Sequence, residues 1–145
     1  MGKYQVTRRA LLPRGRRRKT FSLEEANRAL PLVRRIVEDI VAQYRQLERL
    51  QRRRRILIRR QRATEVTELD EQAARGADRL CELIDEVNRI GCELKDWESG
   101  IVDFRSRLHG RDVFLCWRLG EDKIGHWHEV AVGMTGRQAT AGVFE

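Results

Sequence analysis

Proline is scarce in this chain of 145 residues, with Pro13 and Pro31 the only two, so little of it need be linker. Aromatic residues make up 6%, and the core has to be largely aliphatic. No apolar run approaches the ~18 residues of a membrane-spanning helix. The N-terminus is basic but has no apolar segment behind it, so no secretory signal is expected. The three cysteines, Cys81, Cys92 and Cys116, form an odd, unpatterned set. That argues against a disulfide framework and for the reducing cytoplasm. There is no phosphate loop, nucleophile elbow or HExxH sequence, so the leading reading is non-enzymatic.

What is abundant is arginine, which supplies 26 of the 30 basic residues. The net charge of +8 hides a division. Residues 1–62 carry 20 Lys or Arg against 5 Asp or Glu, and residues 63–145 carry 10 against 17. A GC-rich coding sequence would raise arginine everywhere but would not cluster it. Arginine binds phosphate through a bidentate fork and stacks on bases, which lysine does not.

Residues 1–20 read as a disordered basic tail, since Arg16, Arg17, Arg18 and Lys19 crowd together without apolar periodicity. One domain, 21–145, follows. Ser22 and Glu25 have the spacing of a capping box, with Phe21 as a staple. A short helix is expected from Leu23 toward Ala29, with Pro31 kinking it or starting the next. Leu30, Val33, Val37, Ile40, Tyr44 and Leu47 then alternate steps of three and four, a coiled-coil seam. Val66, Leu69, Ala73, Ala77, Leu80, Ile84, Val87 and Ile90 form a second seam, closed by Gly91 as a helix cap. Two matched seams predict an antiparallel helical hairpin over 21–91, with its tip near Arg59 to Thr67. From 92 to 132 the period falls to two, as in a sheet. His109-Gly110 and Gly120 to Lys123 are turns, and Cys92 to Asp96 adds a short strand. Residues 133–145 read as loop. The expected class is α+β: a long, coiled-coil-like helical hairpin with a small antiparallel sheet of three to four strands.

The pieces FSLEEANRALPLV at 21–33, GCELKD at 91–96, GIVDF at 100–104 and GRDVFLCWRLGE at 110–121, with Trp127-His128 and Gly136-Arg137, carry a resemblance. The chain resembles the bacterial family known as domain of unknown function 2203. The resemblance implies a helical hairpin carrying a small antiparallel sheet, and it implies no activity. The arginine-rich stretch at the tip lies outside these motifs.

All three histidines and two of the three tryptophans fall between 103 and 137. If Leu119 opposes Ile124, then Trp117 opposes His126 and Leu115 opposes His128. This register keeps Val113, Leu115, Trp117, Leu119, Ile124 and Val130 on one apolar face. Cys116 then points away, beside Asp103 and Trp127. A three-ligand zinc site from Cys116, His126 and His128 fails in this register. Trp117, His126 and His128, with a helix carboxylate, remain an alternative metal or small-ligand site. Asp103 across from Cys116 would raise the thiol pKa, which argues against a reactive cysteine. Cys81, between Leu80 and Leu83, reads as core. Phe114 and Trp127 are expected to share an exposed second face, which suggests a homo-oligomer interface.

The segment 52–62 holds seven arginines in eleven positions: Arg52, Arg53, Arg54, Arg55, Arg59, Arg60 and Arg62. Glu65, Glu68, Asp70 and Glu71 on the returning helix neutralise it only in part. With Arg16, Arg17, Arg18 and Lys19, these side chains are the candidate contacts to RNA or another polyanion, through phosphate rather than base edges. No amphipathic face for membrane insertion is visible. The two rival readings are a metal- or ligand-binding protein or enzyme centred on the sheet, and a plain scaffold.

Overall fold

The computed structural model describes residues 19–144. Two long helices come first, α1 (Leu23–Arg59) and α2 (Ala63–Ile90). They are followed by β1 (Glu93–Asp96), β2 (Ile101–Leu108), β3 (Arg111–Arg118), β4 (His126–Glu129) and β5 (Gln138–Ala139). The strands form one open antiparallel sheet in chain order. The architecture is α+β as expected, with five strands instead of three or four. The fifth lies in the segment expected to be loop, as does a single helical turn at Met134–Gly136.

The capping box forms: Ser22 Oγ accepts from Glu25 N–H and Glu25 Oε1 accepts from Ser22 N–H, each at 3.1 Å. The break expected at Pro31 does not occur. α1 runs through it for 37 residues, because the ring faces solvent and the buried stripe on either side continues unbroken. Leu30, Val33, Val37, Ile40 and Leu47 are buried, and Leu50 and Leu57 carry the stripe into the arginine-rich end. Leu69, Ala73, Leu80, Ile84 and Val87 answer it from α2. The helices join through a tight turn at Arg60 to Arg62, with Gln61 at φ 55°. α2 starts at Ala63, so it begins earlier than the apolar seam does. Gly91 closes α2 in the left-handed conformation, as its position implied. Cys81 is exposed rather than core, because Leu80, Leu83 and Ile84 fill the seam around it.

The sheet packs on the N-terminal half of α1. Phe21 N–H donates to Arg105 O at 2.7 Å, and the Phe21 ring meets Phe104 edge-on at 5.3 Å. Asn27 clamps Ile124, accepting from its N–H at 2.8 Å and donating to its carbonyl at 3.3 Å. Farther along, Arg34 donates to the carbonyls of Glu121 and Asp122, and Tyr44 packs on Trp97. Beyond Tyr44, among the described residues, only the two helices continue. At 1.5 Å per residue, Arg52 lies about 12 Å and Arg60 about 24 Å past that point.

Candidate functional site

Strand register decides which side chains meet on the sheet. β3 pairs with β4 as Phe114↔His128, Leu115↔Trp127 and Cys116↔His126. The expected pairing of Trp117 with His126 is therefore wrong by one residue. Ile124 explains the error. It reaches the core from the loop before β4, held by Asn27, so it does not set the parity of the strand. Trp127 then turns toward the helices with Leu115, while Glu129 leaves the core at the strand end and pairs with Arg111 at 2.8 Å. Val130, expected in the core, is exposed. Trp117 is buried on the helix side, so it does not join His126 and His128 in a site.

The opposite face carries Asp103, Arg105, Phe114, Cys116, His126 and His128. Asp103, Cys116 and His128 are each at most 3% exposed. Their ligand-type atoms all lie within 4.8 Å of one another. His128 Nε2 is 3.0 Å from Asp103 Oδ2, and Nδ1 is 2.8 Å from Glu129 O. Asp103 Oδ1 makes no well-formed hydrogen bond among the described residues. Hydrogen bonding to Asp103 raises the His128 imidazole above its ordinary pKa, against the opposing effect of burial. Burial pushes the Cys116 thiol up to about 12, and the Asp103 carboxylate adds to the rise. Met134 covers the group, its sulfur 3.7 Å from Cys116 Sγ. Asp103 does lie across from Cys116, as the sequence suggested. Its role as a partner of His128 was missed, because that role follows only from the observed β4 register.

Beside this group a second cluster gathers around Glu121. Its carboxylate accepts from Arg137 at 2.7 and 3.0 Å and from Arg118 N–H at 2.7 Å, with His126 Nδ1 3.4 Å away. Burial acts to raise the Glu121 pKa, but the bonds from Arg137 and Arg118 outweigh it and hold the carboxyl below its ordinary value. Arg137 also donates to Cys116 O at 3.3 Å, tying the 134–140 segment over the sheet. His126 therefore stands at the rim and His128 inside. Glu121 and Arg137 carried no spacing signal, being brought together across 16 residues by β5.

Phe114 and Trp127 do not form an exposed patch. They lie on opposite faces and are 5% and 4% exposed. Phe114 packs against His128 under Lys95 and Arg105, and Trp127 against Phe144. The ground for reading them as an oligomer interface is removed. An open groove at the start of α1, lined in part by Phe21, Asn27, Ser106 and Phe144, lies apart from the buried group.

The arginine-rich end of the hairpin is a different environment. Arg52, Arg53, Arg55, Arg59, Arg60 and Arg62 are exposed. Arg54 is half-buried and bonds Asp70 at 2.8 Å, and Arg62 approaches Glu65 at 3.4 Å. Arg52, Arg53, Arg55, Arg59 and Arg60 form no ion pair among the described residues. Lys19 lies over the Phe21 ring, far along the rod from that end. Arg16, Arg17 and Arg18 fall outside the described residues.

These elements define a class: a two-helix rod with an antiparallel five-stranded meander packed on one end. The chain belongs to the family described as "Uncharacterized conserved protein (DUF2203)", whose model matches residues 19–140. No curated protein and no solved structure matches it. Among the described residues no helix is long and apolar enough to cross a membrane.

Proposed function

We propose that the protein is a non-enzymatic polyanion-binding protein of the cytoplasm that holds RNA through the free end of its helical hairpin. The observation that carries this reading is the set of five exposed arginines without an ion-pair partner among the described residues, on a rod end that the sheet does not cover. A guanidinium cluster of this kind repels itself, by a few tenths of a kcal/mol for each i,i+4 pair. An anionic partner relieves that repulsion and releases counterions. Arginine suits phosphate better than lysine does. Ile56 and Ile58 are exposed among the arginines and offer small apolar contacts to unstacked bases. They are too few to insert into a bilayer. The three cysteines without a disulfide support the reducing compartment.

The test is a titration of the full chain with fluorescent single-stranded RNA at low salt. Replacing Arg52, Arg53, Arg55, Arg59 and Arg60 with glutamine should abolish most of the binding while circular dichroism stays unchanged. A parallel variant with Arg16, Arg17 and Arg18 replaced separates the tail's share. Absence of RNA binding by the native chain retires the proposal. Binding to anionic vesicles but not to RNA would replace the partner.

A further inference from the structure

We infer that Asp103, Cys116 and His128 form a binding site for a divalent metal ion of the zinc type. A carbonyl oxygen only accepts, so at 2.8 Å from Glu129 O the Nδ1 atom carries a proton. In a neutral ring Nε2 then presents a lone pair. It faces a carboxylate oxygen 3.0 Å away, in a place nearly sealed from water. Two acceptors at that distance repel, so a cation belongs between or beside them. That cation is either a second ring proton or a metal ion.

Three features favour a metal-binding group over a bare ion pair. Asp103 Oδ1 is buried without a well-formed hydrogen bond, the donor beside it being the weak Cys116 S–H, and a carboxylate oxygen so placed costs free energy unless something positive uses it. Cys116 adds a sulfur ligand where a simple ion pair needs none. The Nδ1–H to carbonyl bond is the outer contact that metal-bound histidines ordinarily make, fixing the tautomer and aiming Nε2 at the ion. Bond lengths near 2.0 Å to N and O and 2.3 Å to S, at tetrahedral angles, put ligand atoms roughly 3.3–3.5 Å apart. The observed group has one pair at 3.0 Å and all its ligand atoms within 4.8 Å, so the widest pair lies at most about 1.3 Å beyond that spacing. A mixed O, N and S donor set of this kind suits zinc, with water completing the tetrahedron.

The charges balance. With a second ring proton as the metal-free cation, the group holds a carboxylate, an imidazolium and a neutral thiol. On binding, the thiol and Nε2 each lose a proton to solvent, and the divalent ion replaces two positive charges with two. The buried site therefore keeps its total charge, which avoids a large desolvation penalty.

The site differs from the one the sequence suggested. His126 is not a member, and the carboxylate comes from β2 rather than from a helix.

Cobalt(II) is the probe, because a thiolate ligand gives it a charge-transfer band in the near ultraviolet and a tetrahedral site gives it visible bands. The full-length chain, stripped with chelator, should take up one cobalt per chain with both signatures, and zinc should displace it. Cys116→Ser should remove the charge-transfer band, and Cys81→Ser should leave it intact. Asp103→Asn and His128→Gln should each weaken zinc by roughly 100-fold or more, beyond the 10–100-fold effect of outer-shell partners. Zinc should also raise the melting temperature of the native chain but not of Cys116→Ser. No cobalt signature in native chain shown to be folded by circular dichroism overturns the assignment. A charge-transfer band that survives in Cys116→Ser also overturns it, by moving the metal elsewhere. Should Asp103→Asn not fold, the cysteine pair of variants still decides.

Discussion

Single residues carry the chemistry here, and their surroundings set it. Burial pushes the thiols of Cys92 and Cys116 up to about 12. Cys81 is exposed, though burial of part of its side chain and the nearby Asp85 and Asp78 raise its pKa as well. A thiol reagent at pH 8 should therefore label Cys81 first and, in folded metal-free protein, Cys81 alone. Denaturant should expose all three cysteines. Rapid labelling of Cys116 in the folded chain would contradict the enclosed geometry, and mass mapping of the labelled peptides decides it. Glu121 makes a second case. Its folded pKa is depressed, so its contribution is fully present above the ordinary carboxyl value and is lost as pH falls through the lower folded value. Glu121→Gln should cost about 1–2 kcal/mol at neutral pH, the scale of charge-assisted hydrogen bonds. The cost should shrink as pH falls through the folded value and the native side chain takes up its proton. Thermal melts of both chains at pH 7 and pH 3 measure the difference. The acid-base partners of Cys116 and His128 were only partly legible in the sequence. Asp103 stood opposite Cys116 by simple alternation, but His128 joined them only because Ile124 is anchored from outside its strand.

At the level of elements, periodic segments were the most legible. Both helical seams, the capping box and Gly91 read directly, because each depends on contacts within a few residues or on a repeating apolar stripe. Pro31 misled, since a ring on the solvent face of a long packed helix is tolerated when tertiary contacts hold both sides. β5 was not legible, because two residues form no pattern and its pairing with β4 is purely tertiary. Gly100 shows how closely the helices and the sheet are fitted. It has φ +77°, and an added Cβ would lie 2.9 Å from both Leu119 Cβ and Val37 Cγ1. Neither is the far end of a flexible chain. Gly100→Ala therefore combines left-handed backbone strain of about 1–2 kcal/mol with overpacking of about 1–3 kcal/mol. The expected loss is about 2–5 kcal/mol, a fall of roughly 6–20 °C in melting temperature for a domain of this size. Calorimetry of the variant checks it. A loss under ~1 kcal/mol would mean that α1 and β2 can move apart freely.

Across the whole molecule charge is polarised along the rod. One end holds the sheet and its buried group of Asp103, Cys116 and His128. The other holds arginines whose neighbours neutralise only a few of them. Sequence counting showed the surplus. It did not show that the surplus projects about 24 Å beyond the last helix–sheet contact, which follows from the unbroken length of α1. Projection matters because a strand of RNA can then reach the rod end without meeting the sheet, although Glu65, Glu68, Asp70 and Glu71 of α2 lie beside the arginines there. The five hairpin-end arginines without an ion pair among the described residues set the salt dependence expected of that end. For single strands, log affinity falls with log salt at about −0.7 per phosphate contact, so five contacts give a slope of about −3.5. Between 50 and 200 mM salt, a fourfold step, affinity should fall by roughly 100-fold. Arg54 should contribute little, because its guanidinium already bonds Asp70. Arg54→Gln should thus leave the slope near −3.5, while Arg52→Gln, Arg53→Gln or Arg55→Gln should each flatten it by about 0.7. Sequence preference should be weak, since phosphate contacts carry no base information. Fluorescence anisotropy with homopolymer and mixed RNAs at several salt concentrations measures all of this. A slope that five substitutions leave unchanged would move the binding surface away from the hairpin end.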